Sequence, residues 1–330
     1  MLAAAAVLLV GCTLLGLLLT APAPRLPHVR LITTHTPFSA AVFLARQRGW
    51  FREAGIDVEV IDRPSGKEAL ADLVDGNADY ATASETPIMF ALLKSQPLRV
   101  LTSLSMGTDT LTIIARRDRG IESSEQLPGK RIGFALGTNS QYFLDTFLEY
   151  RGIRSDAVMR IPLKPEEMVN ALIHGQVDAI SAWPPYNQQA LSRLGANSQE
   201  LRVGSIYRWS WYLVARNETV ARQATSERLL AALIRATESL RSDPLGCIRD
   251  LAPDLELAPE QLQKIWDHTL FDVNLDQSLL LTLEMQARWA IGSGLTDQKE
   301  VPNFLPAVSA QALRQVDRGL VTLIDNEPRP

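Results

Sequence analysis

Several short polar stretches in this chain carry side chains able to hold a small solute. Gly137-Thr138-Asn139-Ser140 reads as a turn opening a helix. Its glycine lets a backbone approach closely, and its three polar side chains can donate hydrogen bonds. Ser84-Glu85-Thr86 reads as a second such turn, and His35-Thr36 before Pro37 as a third, with Thr36 an N-cap and Pro37 the first helical residue. Helix starts present free N–H groups and the positive end of the dipole, which suits sulfonate, phosphate or carboxylate oxygens. Trp183-Pro184-Pro185-Tyr186 offers an aromatic face able to cover the apolar part of a ligand or a cation. The alternative is that Trp183 packs on Tyr186 or on a hinge. Arg208, in the alternating run 207–212, either pairs with a ligand anion or stays at the surface. Glu85 also reads two ways: as a carboxylate suited to a helix start, or as a cleft residue calling for a ligand with an amine or N–H donors. His35 is a plain hydrogen-bonding residue or a ligand contact.

Other chemistry has little support. There is no G-x-G-x-x-G, P-loop, H-E-x-x-H or G-x-S-x-G pattern. The histidines stand at 28, 35, 174 and 268, none spaced for a metal. Of the cysteines, Cys12 lies in an apolar leader, so Cys247 alone remains in the body, and neither a disulfide nor a Cys-based zinc site can form there. A net charge of −4 gives no basic field for nucleic acid. We expect no catalytic residue, no metal and no cofactor.

The elements that position these residues are written twice. Gly76, Asp79 and Ala83 recur as Gly175, Asp178 and Ala182, and the lead-in helices, residues 68–75 and 167–174, match as well. Upstream, residues 29–61 and 131–163 both read as strand, turn, helix, strand. Repetition at this scale means two related α/β lobes rather than a solenoid, which suits the length of 330 residues. In open α/β sheets ligands bind off the carboxyl ends of strands, and the polar turns fall there in both copies. The expected division is 28–112 and 213–330 for lobe one and 113–212 for lobe two. Within it, a helix runs from Thr36 to about Glu53, and strands lie at 56–61, 100–104, 111–115, 130–135 and 207–215. Helices at about 226–242, 259–269, 277–291 and 309–324 are assigned to lobe one.

Residues 1–27 form a separate unit. Residues 2–23 are apolar and uncharged, long enough for an export signal or a membrane anchor. Within them Leu9-Val10-Gly11-Cys12 resembles a lipobox, which would make Cys12 a lipidated N-terminus. No Lys or Arg precedes the run, and it continues past Cys12 to Leu19, so an uncleaved anchor stays open. We expect an exported, membrane-tethered, monomeric protein.

The stretch from Phe43 to Val60, F-L-A-R-Q-R-G-W-F-R-E-A-G-I-D-V-E-V, followed by L-x-x-G-x-A-D-Y, resembles the NMT1/SsuA-type periplasmic substrate-binding proteins. The resemblance covers about residues 28–325. It implies the type II periplasmic-binding-protein fold: two α/β lobes joined by two crossover segments, with a ligand cleft between them. It implies an ABC-importer component that delivers a sulfonate, taurine, nitrate or thiamine precursor, with permease subunits as partners. The family often has W-x-P with Glu in the middle, where this chain has Pro184. Two rivals remain: a thiamine-pyrimidine synthase on the same fold, whose Cys-rich motif is absent here, and a membrane-tethered sensor.

Overall fold

The first strand, β1 (His28–Thr34), leads through a 3-10 turn at Pro37–Ser39 into helix α1 (Ala40–Gln47). Here the sequence predicts one helix to about Glu53. Gly49, at φ 73°, instead adopts the left-handed conformation and splits it, leaving a single turn at Trp50–Glu53. Then follow β2 (Asp57–Arg63), α2 (Gly66–Val74), β3 (Tyr80–Ser84), α3 (Glu85–Leu93) and β4 (Leu98–Gly107). The middle of the chain gives β5 (Thr112–Arg116), β6 (Arg131–Phe134), α4 (Asn139–Tyr150), β7 (Met159–Pro162), α5 (Pro165–Ile173), β8 (Ala179–Ala182), α6 (Tyr186–Leu194) and β9 (Ser198–Leu201). The last part gives β10 (Trp209–Arg216), α7 (Gln223–Ser242), α8 (Pro244–Leu251), α9 (Pro259–Trp266), β11 (Thr269–Phe271), α10 (Ser278–Gly292) and α11 (Gln311–Val316). The structure, a computed structural model, describes residues 25–324. The apolar leader and Cys12 lie outside the described residues. Among those described, no helix is long and apolar enough to cross a membrane.

The described strands form two sheets, ordered β11-β4-β10-β3-β1-β2 and β7-β6-β8-β5-β9. Their plans match. In the first, β1 lies parallel between β2 and β3, and β10 runs antiparallel between β3 and β4. In the second, β6 lies parallel between β7 and β8, and β5 runs antiparallel between β8 and β9. Each antiparallel strand is the one that has just crossed from the other sheet, through residues 108–111 or 202–208. Thus Thr112, within the span expected for lobe one, starts a strand of the second sheet. Trp209, within that expected for lobe two, starts one of the first.

The repeated residues explain the shared plan. Asp79 accepts the Arg30 backbone N–H at 2.8 Å, while the Arg30 guanidinium donates to the Gly76 carbonyl at 3.0 Å. In the second copy Asp178 accepts the Arg131 N–H at 2.9 Å, and the Arg131 guanidinium donates to the Gly175 carbonyl at 2.7 Å. Each clip ties the turn before a central strand to the parallel strand beside it, β1 or β6. The strands it aligns, β3 and β8, are buried throughout, as parallel strands covered on both faces should be.

The C-terminal part packs on the first sheet's side, with α7 against α1 and α10 against α3. One expected stop gains a second role there, and two other predicted boundaries change. Pro244 ends α7 but also starts α8, since proline fits a first helical turn. The helix expected to reach Thr269 stops at Trp266, and Thr269–Phe271 becomes an edge strand antiparallel to β4. Its anchor is Phe271, buried with its ring 4.4 Å from that of Trp266. The helix expected at 309–324 shrinks to Gln311–Val316.

Candidate functional site

Between the sheets lies a narrow cavity of about 10 Å³, room for about one water molecule with the two sides as close as they stand here. Three helices start at its wall. Ser65, Gly66 and Lys67 come from the start of α2, Ser84 and Pro87 from that of α3, and Thr138 and Asn139 from that of α4. Each start follows a strand, so the strand-end rule places all three in one gap. The Thr138 hydroxyl accepts from the Ser140 N–H at 3.2 Å and donates to the Ala135 carbonyl at 2.8 Å, which holds the turn shut. Ser84 caps α3 without a side-chain cap bond. Asn139 is buried, and its carboxamide makes no hydrogen bond among the described residues. Thr34 completes the polar part.

Phe38, Trp183 and Trp211 form the apolar part. Trp211 is 4% exposed, and its indole N–H is a buried donor without an acceptor among the described residues. Such a group is costly unless something accepts from it. Trp183 stands edge-on to Tyr186, ring centroids 5.6 Å apart. It thus packs on Tyr186 and also lines the cavity. No carboxylate lines the cavity among the described residues, and Lys67 is its charged side chain.

Of the sequence candidates, Ser84, Thr138, Asn139 and Trp183 meet at this wall. The others lie elsewhere. Glu85 is fully buried behind it, accepting from the Tyr207 hydroxyl, the Ser210 N–H at 2.9 Å and the Gln286 carboxamide at 3.2 Å. Burial raises its pKa despite those donors. The carboxylate is thus spent on the return crossover and on α10, not offered to a ligand. Thr86 is buried in the next position. Ser140 staples α4 to β8, donating to the Ser181 carbonyl at 2.7 Å while Ser181 donates back at 2.8 Å. Gly137 faces an outer groove. His35 bonds the Asp254 carbonyl and lies 3.5 Å from Asp62, whose hydrogen bond raises its pKa. Thr36 bonds the Thr34 hydroxyl at 3.0 Å. Tyr186 reaches the Pro64 carbonyl at 3.5 Å, and burial pushes its phenol up to about 12. Arg208 is exposed.

Sequence reasoning missed Ser65, Gly66, Lys67 and Trp211. The first three carried a readable signal: Ser65 caps α2 by accepting from the Glu68 N–H at 3.3 Å, the S-x-x-E start pattern, directly after a strand. Gly66 is where the wall is tightest. A Cβ there would sit 2.8 Å from the Ala83 Cα and 3.1 Å from a Trp211 ring carbon. Gly66→Ala should therefore cost about 1–3 kcal/mol by overpacking. Urea denaturation checks this, and a parent-like midpoint would show that the wall yields freely.

The two sides of the cavity touch elsewhere too. The Trp289 indole in α10 donates to Asp145 in α4 at 3.0 Å, and Asp145 pairs with Arg160 at 2.7 Å. Tyr142 stands edge-on to Trp289 and to Tyr207, at 5.0 and 5.4 Å.

Comparison with known proteins agrees with this geometry. The "Putative aliphatic sulfonates-binding protein" of Bacillus subtilis (strain 168) is 26% identical over 159 residues, which is 47% of this chain and 48% of that protein. The chain thus aligns with about half the length of that relative. The alkanesulfonate-binding protein SsuA from Xanthomonas axonopodis pv. citri, solved bound to MOPS, superposes with a TM-score of 0.75 at 20% identity, covering 88% of this chain and 100% of that one. The periplasmic nitrate-binding protein NrtA from Synechocystis PCC 6803 superposes at 0.70 and 13% identity, covering 91% and 90%. At these identities the likeness establishes the fold, the two-lobe type II periplasmic-binding-protein architecture. Residues 36–246, more than half of the chain and all of the cavity wall except Thr34, match the family described as NMT1/THI5 like, and the chain belongs to that family.

Proposed function

We propose that this protein is the extracytoplasmic solute-binding component of an ABC importer, and that it takes a small organic anion of the sulfonate type. The observation that carries this reading is the convergence of three helix starts on a cavity wall that holds Lys67 and, among the described residues, no carboxylate. Partial positive charge at each start and a full one at Lys67 favour an oxyanion. The indole of Trp211 supplies a further donor, and Phe38 and Trp183 suit a short apolar body. The relatives named for binding sulfonates support the same class. In this reading residues 28–112 with 213–330 and residues 113–212 are, to within a few positions, the two lobes. They close by hinge bending at the crossovers. The N-terminal apolar run, through lipidated Cys12 or as an uncleaved anchor, tethers a monomer beside its permease.

A thermal-shift panel tests it, with ethanesulfonate, taurine, nitrate and 4-amino-5-hydroxymethyl-2-methylpyrimidine as probes. A ligand at 100 times its Kd adds about 2.7 kcal/mol, a rise of roughly 5–10 °C for a domain of this size. Ethanesulfonate or taurine should give it. A shift with the pyrimidine alone would replace this reading with a thiamine-precursor one, and a shift with nitrate alone would reduce the ligand to an inorganic ion.

A further inference from the structure

We propose that Lys67 is the clasp of the cavity: its ammonium ties the two lobes together over the ligand and sets the preference for negative charge. The second half of this statement rests on the anion reading above; the first half does not.

Lys67 occupies the first turn of α2, on the side of the first sheet, yet its ammonium donates to the Leu136 carbonyl across the gap at 2.9 Å. Leu136 precedes Gly137 and the Thr138 cap of α4. The lysine lies directly over that turn: a Cβ at Gly137 would stand 3.5 Å from its Nζ and 3.6 Å from its last two stem carbons. Gly137, at φ 74°, is in the left-handed region, so the turn favours a glycine there, and the lysine stem rests on it at ordinary contact distance. Lys67 lines the inner cavity and also the outer groove. It is therefore part of the wall that separates bound solute from solvent.

Apart from its neighbour Glu68, local electrostatics do not favour a lysine here. A cation in a first helical turn faces the positive end of the dipole and is disfavoured. The bond to a carbonyl of the other lobe supplies a reason. An ammonium has three donors, and one goes to Leu136. The remaining two are available to an oxyanion held at the starts of α2 and α4. Closing the lobes and binding the anion thus use the same group, and each favours the other.

Lys67→Met keeps the stem and removes the charge and the donors, whereas Lys67→Arg keeps both. The side chain is exposed, so neither change should unfold the protein. The first measurement needs no ligand: the radius of gyration by small-angle X-ray scattering. Lys67→Met should be more open than the parent, and Lys67→Arg parent-like. The second is the dissociation rate of ethanesulfonate, followed by tryptophan fluorescence. It should rise roughly tenfold or more in Lys67→Met, the loss of one charge-assisted hydrogen bond, and far less in Lys67→Arg. A parent-like radius for Lys67→Met overturns the clasp, whatever the dissociation rate. A larger radius in a protein whose parent binds no ethanesulfonate leaves the clasp standing and removes the sulfonate reading instead.

Discussion

Replacing Glu85 by alanine should destabilise the protein by about 3 kcal/mol or more, a large share of the stability of an ordinary domain. The side chain is fully buried and receives three donors from three separate segments: Tyr207 in the return crossover, the Ser210 N–H at the start of β10, and Gln286 in α10. Alanine leaves all three without an acceptor, at about 1–3 kcal/mol for each group that water cannot reach. The Tyr207 ring also packs beside Tyr142 and Phe143 of α4, at 5.4 and 6.1 Å, so the loss should loosen the hinge as well as the core. Glu85→Gln keeps the shape and separates charge from packing. Burial raises the folded pKa of Glu85 above its ordinary value of 4.5. A group shifted this way contributes stability that is fully present below the unfolded pKa and is lost as pH rises through the folded one. Parent stability minus that of Glu85→Gln should therefore fall as pH rises from about 4.5 toward neutrality. Denaturant titrations of both proteins across that range decide it. A flat difference, or one that grows with pH, would mean that the three donors outweigh the desolvation.

Much of this architecture was legible because the chain states it twice. Gly76 with Asp79 and Gly175 with Asp178 mark equivalent turns, and the structure shows why both types recur: an Arg from the neighbouring strand bonds the Gly carbonyl while the Asp takes that strand's N–H. Strand ends followed by polar helix starts then pointed to Ser84, Thr138, Asn139 and Trp183. The same rule covers Ser65 to Lys67 after β2, but the sequence reading begins that helix at Glu68 and passes over them. Glu85 misled because a carboxylate one residue past a strand end looks equally suited to a cleft and to the core. Its three partners lie 122, 125 and 201 residues away, a distance no local pattern spans. Strand β11 escaped for a related reason. Three residues carry no period of their own, and pairing with β4 makes them a strand. Trp211 sits in an aromatic alternation that suits core packing, and beside Phe38, with ring centroids 6.0 Å apart, it does pack there. Only the fold shows that the same ring also reaches the cavity.

Trp183→Ala should weaken binding by an amount that depends on the ligand, and that dependence is its signature. Trp183 is 5% exposed, at the end of β8, lining the cavity from the second sheet while α2 and α3 line it from the first. If it covers the apolar body of a sulfonate, its removal returns that body to water. About 100 Å² of lost apolar contact costs about 2.5 kcal/mol, or roughly 50- to 100-fold in Kd. Butanesulfonate should approach that loss, ethanesulfonate should lose less, and nitrate, with no apolar body, should scarcely change. Trp183→Phe keeps an aromatic face and should recover most of the butanesulfonate affinity. Removing the edge-on contact with Tyr186 disturbs α6 equally for every ligand, so it shifts all affinities by a common factor. Titration calorimetry with the three anions separates the two effects. A graded loss assigns Trp183 to the ligand, and an equal loss for butanesulfonate and nitrate assigns it to the packing of its own lobe.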